Sequence, residues 1–180
     1  MQSSPSSRRQ RGVTLIETMI VSAVSVIVLG TAAPSFKQMS ARHQVEGPAI
    51  ELASNLLFAR SEAIARNESV RVSFQNPAAG ACYVLHTGDA DDCVCSGSGP
   101  AQCSNGAREI RTVLLPASRP VTVQSNVATM LFHPVRGTTT PAGTVKVLGP
   151  NGYAVHHVVN LMGRVRSCAP AGNMPGYKPC

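Results

Sequence analysis

An α+β fold is predicted by three observations. A long helical pattern fills the first third of the chain, and short β-branched stretches follow it. Aromatic residues make up only 4% of the 180 residues and Trp is absent, which suits a modest β-rich head better than a large enzyme core. Six cysteines, all beyond residue 80, add disulfide candidates to that head.

The elements follow in order. Residues 1–12 form a polar leader with Arg8, Arg9 and Arg11, and no structure is expected there. Val13 to Ala33 is an apolar run of 21 residues that ends at Pro34. At 1.5 Å per residue it reaches roughly 30 Å, enough to cross the hydrocarbon layer once. A secretory signal has a shorter apolar core and a small-residue cut site, so it fits less well. The arginines before the run predict a cytoplasmic N-terminus and an exported C-terminal part. Glu17 stands out within the run, because a carboxylate at bilayer depth costs roughly 2.5–3.5 kcal/mol. A plain membrane anchor leaves that residue without a reason, so a dedicated partner is expected.

Residues 13–34 are therefore assigned to the membrane and 35–67 to a continuation of the helix into the head. Gly47-Pro48 is expected to kink or briefly break it. Beyond that point Ala49/Ile50, Ala53, Leu56/Leu57 and Ala63/Ile64 recur at helical spacing, predicting a sheet-facing stripe with Arg60, Glu62 and Arg66 outward. Residues 68–180 form the head. Val70, Val72 and Phe74 alternate with Arg71 and Ser73, predicting a strand over 70–75 with the first set inward. Further strands are expected at 82–87, 108–115, 121–125, 129–133, 144–148 and 153–161, the last two joined by a Pro150-Asn151-Gly152 turn. Residues 89–105 read as a loop rich in Gly, Ser and Cys. Asn67-Glu68-Ser69 fits a glycosylation sequon but reads as the helix-to-strand turn.

Charge is unevenly distributed. The net +7 falls to about +4 once the three leader arginines are removed. No Asp or Glu follows Glu109, yet Arg111, Arg119, Arg136, Lys146, Arg164, Arg166 and Lys178 all lie beyond it. Solvated surfaces normally mix signs. A one-signed tract points to an anionic partner, nucleic acid or anionic lipid.

Gly12-Val13-Thr14-Leu15-Ile16-Glu17 resembles the class III signal of type IV prepilins and pseudopilins, with Val13 where Phe is commoner. The resemblance implies cleavage after Gly12 by prepilin peptidase and N-methylation of Val13. It also implies that Glu17 pairs with the new Val13 amine of a neighbouring pilin subunit, an acid offsetting the desolvation of a buried ammonium. Ala59-Arg60-Ser61-Glu62-Ala63, Phe132-His133-Pro134-Val135-Arg136-Gly137, Gly143-Thr144-Val145-Lys146-Val147 and Gly163-Arg164-Val165-Arg166 carry the similarity across nearly the whole chain. Together they resemble the GspH/FimT group of minor pilins and pseudopilins, FimT-type members above all. That group's fold is a long N-terminal helix with a β-rich head, and its members include minor pilins implicated in DNA capture during natural transformation.

Arg164 and Arg166 are the main candidates for such a role. If residues 159–167 continue as an extended segment, both guanidinium groups project from one face, with Gly163 letting a backbone approach. Arg grips phosphate oxygens bidentately, which favours contacts to the DNA backbone over base readout. Arg136, Lys146 and Lys178 are secondary phosphate contacts. Solubilising arginines on an outward strand are the plainer reading, and the acid-free tract weighs against it. The function expected is a minor pilin that binds DNA without sequence preference; the alternative is a structural minor pilin or type II secretion pseudopilin that primes or caps a filament. Either would start in the inner membrane, in contact with its lipid, and pass into a pilus or pseudopilus.

Cys168 and Cys180 enclose a Pro/Gly-rich tail too short to pack unaided, and a bridge there would contribute about 3 kcal/mol. Cys82, Cys93, Cys95 and Cys103 are expected to form two more bridges of open connectivity; a zinc site from Cys93, Cys95 and Cys103 suits an oxidising compartment less. His156 and His157 should face opposite sides of a strand, and their protonation would aid anion binding below neutral pH. Asp89, Asp91 and Asp92 lack the Gly and distal Glu of a calcium loop. No cofactor and no catalytic arrangement is indicated.

Overall fold

The computed structural model describes Gly12, residues 14–97, 99–170, Gly172 and residues 174–180, with the side chains of 31–34 excepted. By contacts the chain divides into two compact units, 1–39 and 40–180. Helix α1 (Leu15–Arg66) contributes to both. In the first unit its residues from Leu15 to Gly30 are exposed, and an 18-residue window of α1 reaches a mean hydropathy of 2.0. By length and composition this helix is able to cross a membrane.

The second unit is the head. Its core joins α1 to two sheets. Sheet one has the order β5-β2-β1-β7-β8 and sheet two the order β11-β10-β9-β6. The strands of sheet one are β1 (Val70–Gln75), β2 (Gly80–His86), β5 (Glu109–Pro116), β7 (Thr129–Phe132) and β8 (Thr139–Thr140). Those of sheet two are β6 (Thr122–Ser125), β9 (Gly143–Leu148), β10 (Ala154–Val159) and β11 (Val165–Cys168). A short pair, β3 (Cys93–Val94) and β4 (Gln102–Cys103), lies within the expected loop. All these pairings are antiparallel.

Within the head, α1 packs through Ala41, Val45, Ala49, Leu52, Leu56, Ala59 and Ala63, all buried. Helical periodicity is thus correct but its phase differs from expectation. Ile50, Leu57 and Ile64 face outward, at 54%, 51% and 48% exposure. The smaller members of the expected pairs Ala49/Ile50 and Ala63/Ile64 point in, which lets the helix axis approach the sheets closely. The expected break at Gly47-Pro48 does not occur; the helix continues through it. Val45, Ala49 and Leu52 on either side are fully buried, and that packing outweighs the hydrogen bond Pro48 cannot donate. The helix ends where expected. Asn67 adopts φ 51°, and the Glu68 N–H reaches back to the Ala63 carbonyl at 3.2 Å, a left-handed C-terminal cap.

β2 is buried on both faces. Ala81, Tyr83 and Leu85 join the main core, whereas Cys82 and Val84 pack with Cys93, Cys95, Ala101, Cys103, Ala107 and Leu114. The loop is stapled over that second face by Cys82–Cys95 and Cys93–Cys103. Those bridges settle the connectivity left open by the sequence and use the thiols a zinc site would need. They also explain why Ser73, expected outward, is 2% exposed: it lies under the loop, with Oγ 2.8 Å from His86 Nε2. The third bridge is Cys168–Cys180, as expected. It closes a strap that runs back beside β11, where Ala169 N–H donates to the Lys178 carbonyl at 2.9 Å, and Met174 of the strap plugs into the core.

Candidate functional site

The extended segment expected over residues 159–167 is instead a hairpin. β10 stops at Val159 and β11 starts at Val165. Asn160 makes the turn. Its side-chain oxygen accepts from the N–H groups of Met162 at 3.1 Å and Arg164 at 2.9 Å, and its own N–H donates to the Arg164 carbonyl at 3.2 Å. Asn and Gly are the residues suited to such a turn. Gly163 takes φ +69°, and its N–H donates to the Asn160 carbonyl at 2.8 Å.

Despite the turn, the two arginines stay together. Arg166 lies opposite Val158, and Arg164 opposite Asn160. Both arginines are exposed, and the four residues line one groove of about 340 Å³. Alternation along the strands extends this face: His156 lies between Cys168 of β11 and exposed Lys146 of β9. From strand spacing and rise, Arg166 and Lys146 stand about 12 Å apart at Cα. Arg136 is exposed in the turn between β7 and β8, and Lys178 is exposed on the strap. Among the described residues, no ion pair engages Arg136, Lys146, Arg164, Arg166 or Lys178; the ion pairs there join Glu46 to His43, Glu62 to Arg66 and Glu68 to Arg108.

Gly163 has a different job from the one expected. It is buried, and a Cβ there would overlap the carbonyl oxygen of Gly137 and crowd Arg60. The backbone that comes close is the protein's own. Arg60, expected outward, is half-buried and donates from Nε to that same Gly137 carbonyl at 3.1 Å. A helix arginine and two glycine turns therefore lock together, holding the Arg136 and Arg164 turns side by side. Sequence reasoning missed Arg60 and Asn160 as positioning residues. An Asn three residues before a Gly was the available signal for the second.

The histidines do face opposite ways, and both are shifted below the ordinary histidine value, which works against the expected protonation below neutral pH. Burial pushes His157 down to about 4, only partly opposed by the Ala49 backbone, and leaves its Nε2 without a well-aligned partner. Its Nδ1 lies 2.8 Å from Ser167 Oγ. His156 is also lowered, by burial and then by the Lys146 charge. Asp92 is engaged by the Asn105 amide and the Asp89 N–H, which hold its carboxyl below the usual range.

At the N-terminus, Gly12 is exposed and Val13 lies outside the described residues, as do Arg8, Arg9 and Arg11. Glu17 is exposed in the first turn of α1, its N–H donating to the Thr14 carbonyl at 3.1 Å.

Comparison with known proteins adds the family. Residues 49–163 match the family model described as type II transport protein GspH, and residues 7–33 match the prokaryotic N-terminal methylation motif. No curated protein matches the sequence. Among solved structures, the type IV minor pilin FimU of Pseudomonas aeruginosa is similar with TM-score 0.52 and 18% identity, over 71% of this chain and 90% of that one. The minor pseudopilin EpsH of the Vibrio cholerae type 2 secretion system is similar with TM-score 0.50 and 13% identity, over 71% and 98%. At such identities the likeness concerns the fold, a long apolar N-terminal helix with a β-rich, disulfide-bonded head. With a methylation motif at one end and the family match spanning most of the head, the chain belongs to the GspH family and is a GspH/FimT-like minor pilin or pseudopilin.

Proposed function

We propose that this minor pilin binds DNA through its phosphates, without sequence preference, in the service of DNA uptake. One observation carries the reading: Arg164 and Arg166 are both exposed, border one groove and have no carboxylate partner among the described residues. Two forked guanidinium groups over a shallow groove suit backbone phosphate oxygens, which fix position but carry no sequence. Lys146 extends the cationic face, and Arg136 and Lys178 flank it. Gly163 supports the site by allowing the turn. In this reading residues 1–12 are a leader removed by prepilin peptidase, Glu17 meets the Val13 amine of the next subunit, and residues 13–34 hold the precursor in the inner membrane. The head then faces the periplasm before assembly into an extracellular pilus.

The test uses the full-length chain in non-ionic detergent and fluorescent duplexes of unrelated sequence. With about four phosphates neutralised, log K should fall with log salt at a slope near −3 to −3.6, roughly a hundredfold between 50 and 200 mM. Arg164→Ala/Arg166→Ala should bind at least about tenfold more weakly, with a slope shallower by about 1.8. Equal binding by native and double variant removes the site.

A structural role without DNA is the second reading. It is favoured by the outward stripe of Ile50, Leu57 and Ile64, seven residues apart, which suits packing against another subunit. Absence of any DNA binding by the native chain would select it.

A further inference from the structure

The tip of the β10–β11 hairpin presents a feature that phosphate binding does not require. Leu161 and Met162 stand at its apex, 59% and 67% exposed, and Val135 in the neighbouring turn is 83% exposed. Large aliphatic side chains at a turn apex are ordinarily a liability in water. This turn is nevertheless firmly built. Asn160 Oδ1 accepts from Met162 and Arg164 N–H, the Leu161 carbonyl accepts from Thr139 N–H at 2.9 Å, and Gly163 is seated on Gly137 and Arg60. Its polar backbone faces inward to the protein, and its apolar side chains face out. On either side stand Arg136 and Arg164, with Arg166 next along β11, and no acid follows Glu109 in the chain.

We propose that Leu161 and Met162 form a wedge that enters duplex DNA between base steps while the flanking arginines hold phosphates; this rests on the DNA-binding reading above. An apolar point inside a cationic rim complements a partner that is polyanionic outside and has an apolar stack within. Duplex nucleic acid has that distribution, and aliphatic wedges of Leu, Ile and Met unstack and kink it. A protein partner would have to bring an acidic ring to match the same rim. The apex has no aromatic side chain on which an unpaired base would stack, so single strands gain nothing there. The wedge makes binding sensitive to how easily a step opens, although no base edge is read.

The experiment compares a stiff A-tract duplex, the same duplex with one mismatched step, and a single strand, each binding to the full-length chain in detergent. A 2-aminopurine beside the mismatch reports unstacking. The native chain should bind the mismatched duplex about tenfold more tightly than the A-tract duplex and brighten the 2-aminopurine. Leu161→Ser/Met162→Ser should abolish both effects and leave the salt slope unchanged, while Leu161→Met/Met162→Leu retains them. Equal affinity for the two duplexes without brightening overturns the wedge and leaves the phosphate site standing. No binding to any DNA overturns the phosphate site, and the wedge with it. Vesicles containing 30% phosphatidylglycerol serve as the competitor. If the Ser variant loses vesicle binding but keeps the duplex preference, the tip is a lipid element and the proposal fails.

Discussion

Arginines around sheet one and basic residues around sheet two live in different electrostatic worlds. Arg66 pairs with Glu62, Arg108 with Glu68 at 2.9 Å, and Arg71 donates to the Gly88 carbonyl and Thr129. Arg111, though exposed, donates to buried Asn55 and lies over the Phe58 ring. On sheet two and its hairpin turn Lys146, Arg164 and Arg166 remain exposed, as does Arg136 in the neighbouring β7–β8 turn, and no ion pair among the described residues engages them. The contrast teaches that a run of like charges in sequence is a mixture. Arg111 belongs to the acid-free tract yet serves the fold, while Arg60 lies outside that tract and sets the geometry of its turns.

Gly163 is the position where a single substitution should do the most damage. Gly163→Ala puts a Cβ against the Gly137 carbonyl at a left-handed φ, and we expect a loss of about 3 kcal/mol or more. Urea unfolding followed by Tyr fluorescence, with Tyr83 and Tyr153 buried, measures it. A neutral result would mean the two turns are not locked. Next in size is the strap. Cys168→Ser/Cys180→Ser opens a bridge of sequence separation 12 and should cost about 3 kcal/mol, while leaving the β3–β4 loop protected from proteolysis.

Acid should follow. The folded pKa of His157 is about 4, below the ordinary 6.5, so the unfolded chain takes up the proton first as pH falls. The stabilisation is complete above about pH 6.5 and drains away toward pH 4, at up to about 1.4 kcal/mol per pH unit. Buried His86, also lowered by burial, adds in the same direction. His157→Gln should flatten the pH dependence of the urea midpoint between 7 and 5; an unchanged slope would refute the assignment.

What the sequence made legible follows from what each signal depends on. Strand positions rest on β-branched runs between turn residues, so β1, β7 and β9 fall close to expectation. Alternation assumes a sheet covered on one side. It failed at Ser73 because a disulfide-stapled loop covers the second face, and that depends on cysteine pairings no spacing reveals. The helix stripe was misphased because Ala49 and Ile50, or Ala63 and Ile64, recur with the same period; only close approach to the sheets selects the alanines. The hairpin was hidden by Leu161 and Met162, whose apolar character reads as more strand. Arg164 and Arg166 share a face as expected, but for a different reason: it follows from the β10–β11 register, while the turn before them reverses the chain.

Arg60 and Arg108 offer the finest version of the contrast. Both are sheet-one-side arginines, and neither belongs to the acid-free tract. Arg60→Ala removes the Nε bond to the Gly137 carbonyl and the stem that lies against Gly163, so a loss of about 1–2 kcal/mol is expected, together with weaker DNA binding through misplaced turns. Arg108→Ala removes a solvent-exposed pair with Glu68 and should cost less than about 1 kcal/mol, with DNA affinity and salt slope unchanged. If Arg108→Ala weakens DNA binding as much as Arg164→Ala does, affinity follows net charge alone, and the hairpin's geometry has no special part in it.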